Sequence, residues 1–181
     1  MTFDSAKYVA GVGSLLMVLS IVPVVGPSLM IGGLIVLLIG IHQLSHALNN
    51  PGIFKNILIW ALLMTVGVVT VIITGLTALV ATLSLEFLAF AEFIATMISI
   101  LVLLWVIAIV GSVFLRRGYN QIALSTGANM FNVVGLLFLI GSVLLITFVG
   151  FLIIWVAFLI QTIAFFSLEQ RGITAQSSPQ V

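Results

Sequence analysis

His42 and His46 are the residues whose type and spacing come nearest to chemistry. Four positions apart, they share one face of a helix, the arrangement that can hold a metal or a haem from a single helix. No cysteine or carboxylate lies near them in sequence, and both stand at the end of an apolar run where an imidazole reaches water, so a solvated pair is the expectation. Glu86 and Glu92 are the acids inside a long apolar stretch, and an intramembrane carboxylate is by default a proton or cation site. A turn at Ser84 to Glu86 would leave Glu86 in water and Glu92 about a turn and a half into the next span. That favours a solvated or snorkelling pair over an ion site. No nucleophile stands with a base, no acids cluster with histidines, and the chain has no cysteine. The expectation is a protein without catalytic residues, cofactor or resident metal, and hence not an enzyme.

The elements that position these side chains follow from composition. With 63% apolar and 5% charged residues and a mean hydropathy of +1.46, 181 residues cannot clothe a soluble globule. The apolar runs are continuous rather than alternating, which predicts helices and argues against an outer-membrane barrel. A net charge of +1 offers no basic surface for nucleic acid. Asp4 and Lys7 open the chain and no small-x-small site closes the first run, so that run reads as an uncleaved span.

Six runs are separated by recognisable punctuation: residues 8–22, 28–48, 54–83, a fourth ending at Leu115, then 130–147 and 151–168. Pro23-Val24-Val25-Gly26-Pro27 and Asn49-Asn50-Pro51-Gly52 read as turns, and Arg116 through Gly127 reads as the most polar interior connector. Residues 1–168 form one transmembrane helical domain, and 169–181 a polar tail with nothing to fold around. Lys7, Lys55, Arg116, Arg117 and Arg171 fall in alternate gaps, so six crossings put all five on one side. The positive-inside rule then places both termini in the cytoplasm of a cell-membrane protein. The outer hairpins are short, roughly 27 Å per leg at 1.5 Å per residue, and a second arrangement has four spans plus two re-entrant hairpins with unchanged charge placement.

Further features bear on packing. Gly67, Thr70, Thr74, Thr77 and Ala81 form a stripe of small residues that lets helices approach, within the chain or with other subunits or a second copy. Gln161, alone in the last run, is expected to hydrogen-bond between helices. Phe151, Phe158 and Phe165, with Trp155 between them, read as packing or lipid-facing. Tyr8, Trp60 and Tyr119 fall near the proposed cytoplasmic interface. Arg116 and Arg117 can meet anionic headgroups among the membrane lipids but are first a topology signal.

Several segments carry a family likeness. They are the Pro-x-x-Gly turn with Gly32, Gly33 and Gly40 behind it; Ile53-Phe54-Lys55-Asn56; Phe114-Leu115-Arg116-Arg117; Ile122-Ala123 through Thr126-Gly127 to Met130-Phe131; and the closing hairpin from Gly135 to Ser167. On these the chain resembles the domain-of-unknown-function 996 family of integral membrane proteins, found largely in archaea and some bacteria. The resemblance covers nearly all but the tail. It implies a multi-span membrane protein and brings no catalytic or binding residues with it.

Two functional classes follow. One is a non-catalytic structural or accessory subunit of a membrane complex. The other is a small channel or transporter, resting on Glu92, the short hairpins and a faint echo between Gln43-Leu44-Ser45 and Gln121-Ile122-Ala123.

Overall fold

The computed structural model describes residues 3–82 and 87–168, with the side chains of 78, 81, 82 and 87–92 left aside. Six α-helices account for nearly all of it: α1 (Phe3–Leu19), α2 (Gly26–Ala47), α3 (Pro51–Thr82), α4 (Phe87–Thr126), α5 (Met130–Val143) and α6 (Val149–Phe166). A 3-10 turn, Leu144–Thr147, follows α5, and no strand occurs among the described residues. A chain this apolar must satisfy its backbone internally, which helices do. Buried or lipid-facing hydroxyls are satisfied the same way, Thr65, Thr70, Ser99 and Thr162 each donating to the carbonyl four residues back. Five helices are long and apolar enough to cross a membrane: α2, α3, α4, α6, and α5 extended through its 3-10 turn. At 17 residues α1 falls just short of that length.

Short connectors make sequence neighbours antiparallel, and the ring closes because α1 packs on α6 as well as on α2. Three of the connectors have a clear local cause. After α2 the chain takes a left-handed residue, Asn49 at φ 50°, while Asn49 N–H donates to His46 O and Asn50 N–H to Ser45 O. That is the paired bonding of a Schellman C-cap. Asn50 then caps α3 by accepting from Gly52 N–H at 3.2 Å, with Pro51 at the first helical position where its missing N–H costs nothing. Gly127 at φ 73° ends α4, its N–H donating to Ala123 O at 2.8 Å. Between the 3-10 turn and α6 stands one residue, Phe148, held at φ 59° with its ring 87% exposed. For a bulky side chain this is strained backbone.

The polar stretch from Arg116 to Thr126, expected as a connector, is instead the last three turns of α4. Leu115, Tyr119 and Ile122 lie at i, i+4 and i+7 and are fully buried, so the apolar face of α4 runs on beneath the charged residues. Gly118 lets that face meet α3: a Cβ there would stand 2.6 Å from Ile57 Cγ1.

The core lies where all six helices meet. Six of its rings, Trp60, Tyr119, Phe131, Phe138, Phe158 and Phe165, come from α3, α4, α5 and α6. Phe138 touches Trp60, Tyr119 and Phe158, and Phe131 joins Tyr119 to Phe165 at centroid separations of 5.8 and 4.9 Å. Trp60 and Tyr119, expected at the membrane interface, are thus core residues, because each is aimed at the other helices by its place on the buried face. Tyr8 does lie at the end of the bundle, exposed beside Phe166.

The helices are unequal. At 1.5 Å per residue, 32 residues of α3 extend about 48 Å and 40 residues of α4 about 60 Å, against about 30 Å of hydrocarbon. Trp105 Nε1 donates to Val143 O at 3.1 Å, where the change from α5 to the 3-10 turn frees a carbonyl. The tip of the α5–α6 hairpin therefore sits near the middle of α4, and α3 and α4 continue past it as a pair.

Candidate functional site

The antiparallel ring gathers at one end the start of α1, the α2–α3 turn, the α4–α5 turn and the close of α6. Lys7, Lys55, Arg116 and Arg117 are all there. Lys7 Nζ donates to Leu168 O at 2.9 Å and pairs with Asp4 at 2.9 Å, tying the start of the first helix to the end of the last. At the same end the Gln121 carboxamide lies against Gly52, where a Cβ would come within 2.7 Å of its Oε1. Arg171, Glu86 and the side chain of Glu92 lie outside the described residues.

His42 and His46 come together as their spacing requires, ring centroids 4.6 Å apart and edge-on. Phe54 stands edge-on to His42 at 4.8 Å. With Ser45, Asn49, Asn50 and Pro51 the two imidazoles border a recess of about 260 Å³ at the α2–α3 turn. The hydroxyl of Ser45 is already committed, donating to Asn50 O at 2.7 Å. Among the described residues no third histidine, cysteine or carboxylate joins them, and the rings pack as aromatic neighbours at an exposed helix end.

The stripe on α3 divides. Gly67 is buried and faces α4, with Leu104 Cδ2 3.0 Å and Ile107 Cγ2 3.6 Å from where its Cβ would be. Small residues thus serve helix contact inside the chain at this level. Thr70 and Thr74 line a cleft of about 350 Å³ with Thr96 and Ser99 of α4. Their hydroxyls do not bond across it: Thr70 donates to Val66 O, Thr74 to Thr70 O and Thr77 to Thr74 O, all within α3. In the last helix Gln161 does find an interhelical partner. Its Nε2 donates to Ser14 Oγ of α1 at 2.6 Å, both groups buried, while its Oε1 has no protein partner. The aromatic repeat on α6 splits too: Phe158 and Phe165 are core, and Phe151 is exposed.

A polar concavity joins Arg116 and Arg117, which the sequence shows as able to meet anionic headgroups, to residues that the sequence does not connect with them. It is a groove of about 570 Å³ between α4 and α5. Arg116, Arg117 and Asn120 of α4 face Asn129 and Asn132 at the start of α5 across it. Val113 and Leu139 belong to its far part, with Val133 and Leu136 between. Helix spacing explains the composition: 113, 116, 117 and 120 share one face of α4, and 129, 132, 133 and 136 one face of α5. Asn132 Nδ2 donates to Asn129 Oδ1 at 2.9 Å. Arg117 also lies over Phe114, Cζ 5.7 Å from the ring centroid. The sequence signal was two asparagines three apart, just past the glycine that ends an arginine-bearing segment; without the length of α4 it could not be connected to the arginines.

The comparisons accord with this architecture. An uncharacterised protein of Methanocaldococcus jannaschii is 32% identical over 171 residues, 93% of this chain and 94% of the relative. No solved structure matches. The family model for a protein of unknown function, DUF996, matches residues 29–159, which include α3, α4, α5 and both walls of the arginine groove. A helical, multi-pass membrane protein by its own composition and fold, the chain belongs to the DUF996 family.

Proposed function

We propose that the protein is a non-catalytic structural or accessory subunit of a complex in the cell membrane, with both chain ends on the cytoplasmic side. The observation that carries this reading is the unequal length of the helices. Beyond the α5–α6 tip, α3 and the first part of α4 pack on each other and expose Val68, Ile72, Leu76, Leu79 and Ile94. An apolar pair longer than the hydrocarbon core suits burial against another membrane protein, or a second copy, better than lipid alone. The six packed rings weigh against a solute passage through the ring of helices, the other class considered.

Mild-detergent extraction after crosslinking from cysteines placed on the projecting pair, as in Ile72→Cys and Ile94→Cys, is expected to recover a discrete larger species. Recovery of an uncrosslinked monomer that conducts solute in liposomes would overturn the reading. The orientation has its own check, since the chain has no native cysteine. Ser28→Cys, exposed at the tip of the first hairpin, is expected to label from outside, and Leu124→Cys, exposed at the cation end, only from inside. Labelling of both from one side would refute it.

A further inference from the structure

The groove between α4 and α5 has the two-part chemistry of a lipid rather than of a soluble anion. The carboxamides of Asn120, Asn129 and Asn132 stand toward the α4–α5 turn, and Arg116 and Arg117 leave α4 further along the groove, Arg116 level with Gly135. Among the described residues neither arginine forms an ion pair with a carboxylate, whereas Lys7 has Asp4. Arginine offers planar, forked donors that match phosphate oxygens two at a time. Asn132 donates to Asn129 Oδ1, and among the described residues the two N–H donors of the Asn129 carboxamide have no hydrogen bond to the protein. The first turn of α5 adds the partial positive charge of a helix N-terminus to a site already built from side chains.

A phosphate fills only a fraction of about 570 Å³. The rest is walled by apolar side chains, Val133 and Leu136 at the level of the arginines and Val113 and Leu139 further from the α4–α5 turn. Ten residues of α5 separate Asn129 from Leu139, about 15 Å of helix. A charged head at the membrane surface joined to an apolar arm running toward the hydrocarbon is the shape of a phospholipid. Gly135 keeps the floor narrow: its position lies 3.0 Å from Arg116 Cα when a Cβ is built there, so the helices touch beneath the groove and leave it open toward the bilayer.

We propose that this groove binds one anionic phospholipid. Arg116, Arg117, Asn120 and Asn129 hold the headgroup phosphate, and an acyl chain lies along Val133, Leu136 and Leu139.

The test uses the full chain, purified in detergent, with thermal stability read as phosphatidylglycerol is titrated in. Wild type is expected to show a saturable rise in Tm with phosphatidylglycerol, and little with phosphatidylcholine or inorganic phosphate. Arg116→Gln/Arg117→Gln is expected to weaken the apparent affinity at least tenfold. Lys55→Gln, which removes a cation from the same end but outside the groove, is expected to leave it unchanged. Because the arginines also orient the chain, Asn129→Ala/Asn132→Ala serves as a second variant that keeps every cation. A threefold or greater loss is expected there. A phosphatidylglycerol shift that survives in both double variants, or falls equally in Lys55→Gln, would show general surface charge and overturn the site. An equal shift with inorganic phosphate, lost in the arginine variant, would overturn the lipid assignment in favour of a free anion.

Discussion

Gly40→Leu is expected to prise the first hairpin apart and to cost about 3 kcal/mol or more, beyond the middle of the range for overpacked sites. The reason is what a side chain would meet. A Cβ at position 40 would stand 2.3 Å from the backbone N of Ala10 and 2.6 Å from its Cα. Neither can rotate aside, as the end of a flexible side chain would. One turn away the same contact recurs in reverse, a Cβ at Gly13 falling 2.3 Å from Leu37 N. Glycine here is a matter of close approach, since the whole α1–α2 seam lies at backbone contact. Gly32→Leu on the same helix is the control, with nothing within 4 Å of its Cβ. Heating in detergent followed by gel filtration should find Gly40→Leu aggregated well below the wild-type midpoint and Gly32→Leu near it. Matching midpoints for the two variants would show that the seam is not packed this way.

Phe138→Ala is the second large effect. Its ring is 3% exposed and contacts Trp60 of α3, Tyr119 of α4 and Phe158 of α6, so one truncation empties the point where four helices converge. In a membrane the transfer part of a core substitution shrinks, because lipid is as apolar as the core, but the cavity part and the lost ring contacts remain. A loss of roughly 2–4 kcal/mol is expected. Phe148→Ala removes the same atoms from an 87% exposed position and should not destabilise the fold. Relief of the left-handed strain at that residue is small, because alanine pays much of the same penalty. The measurement is again the unfolding midpoint, with intrinsic tryptophan fluorescence as a local reading at Trp60. An unshifted Phe138→Ala would mean that the rings are not the keystone of the bundle.

How much was readable in advance differs by element. The helical class and the order of the helices followed from the apolar runs and the polar or Pro- and Gly-bearing breaks between them, because backbone in lipid has few alternatives to a helix. The shared end for Lys7, Lys55, Arg116 and Arg117 followed from parity alone. The end of α4 did not follow, since residues 116–126 are polar in average and apolar only on one face. That face counts for something only when α3 and α5 are there to cover it. Trp60 and Tyr119 stand near cations in sequence and yet are buried, because burial is decided by partners distant in the chain, for Tyr119 by Phe131 and Phe138. Gln161 was anticipated as an interhelical bond, but its partner, Ser14, is 147 positions away and only ring closure by α1 and α6 brings it near.

The sequence by itself determined a polytopic helical membrane chain, its turns at residues 23–27 and 49–52 and the common end of its described cations, because these depend on local hydrophobicity, backbone satisfaction and parity. The tertiary structure decided what the cations do there. Lys7 is tied to Asp4 and to the close of α6, while Arg116 and Arg117 stand over a groove whose other wall begins at Asn129. Which face of a helix is covered, and which is left open beside a second helix, depends on contacts distant in sequence. No periodicity within one segment carries that information.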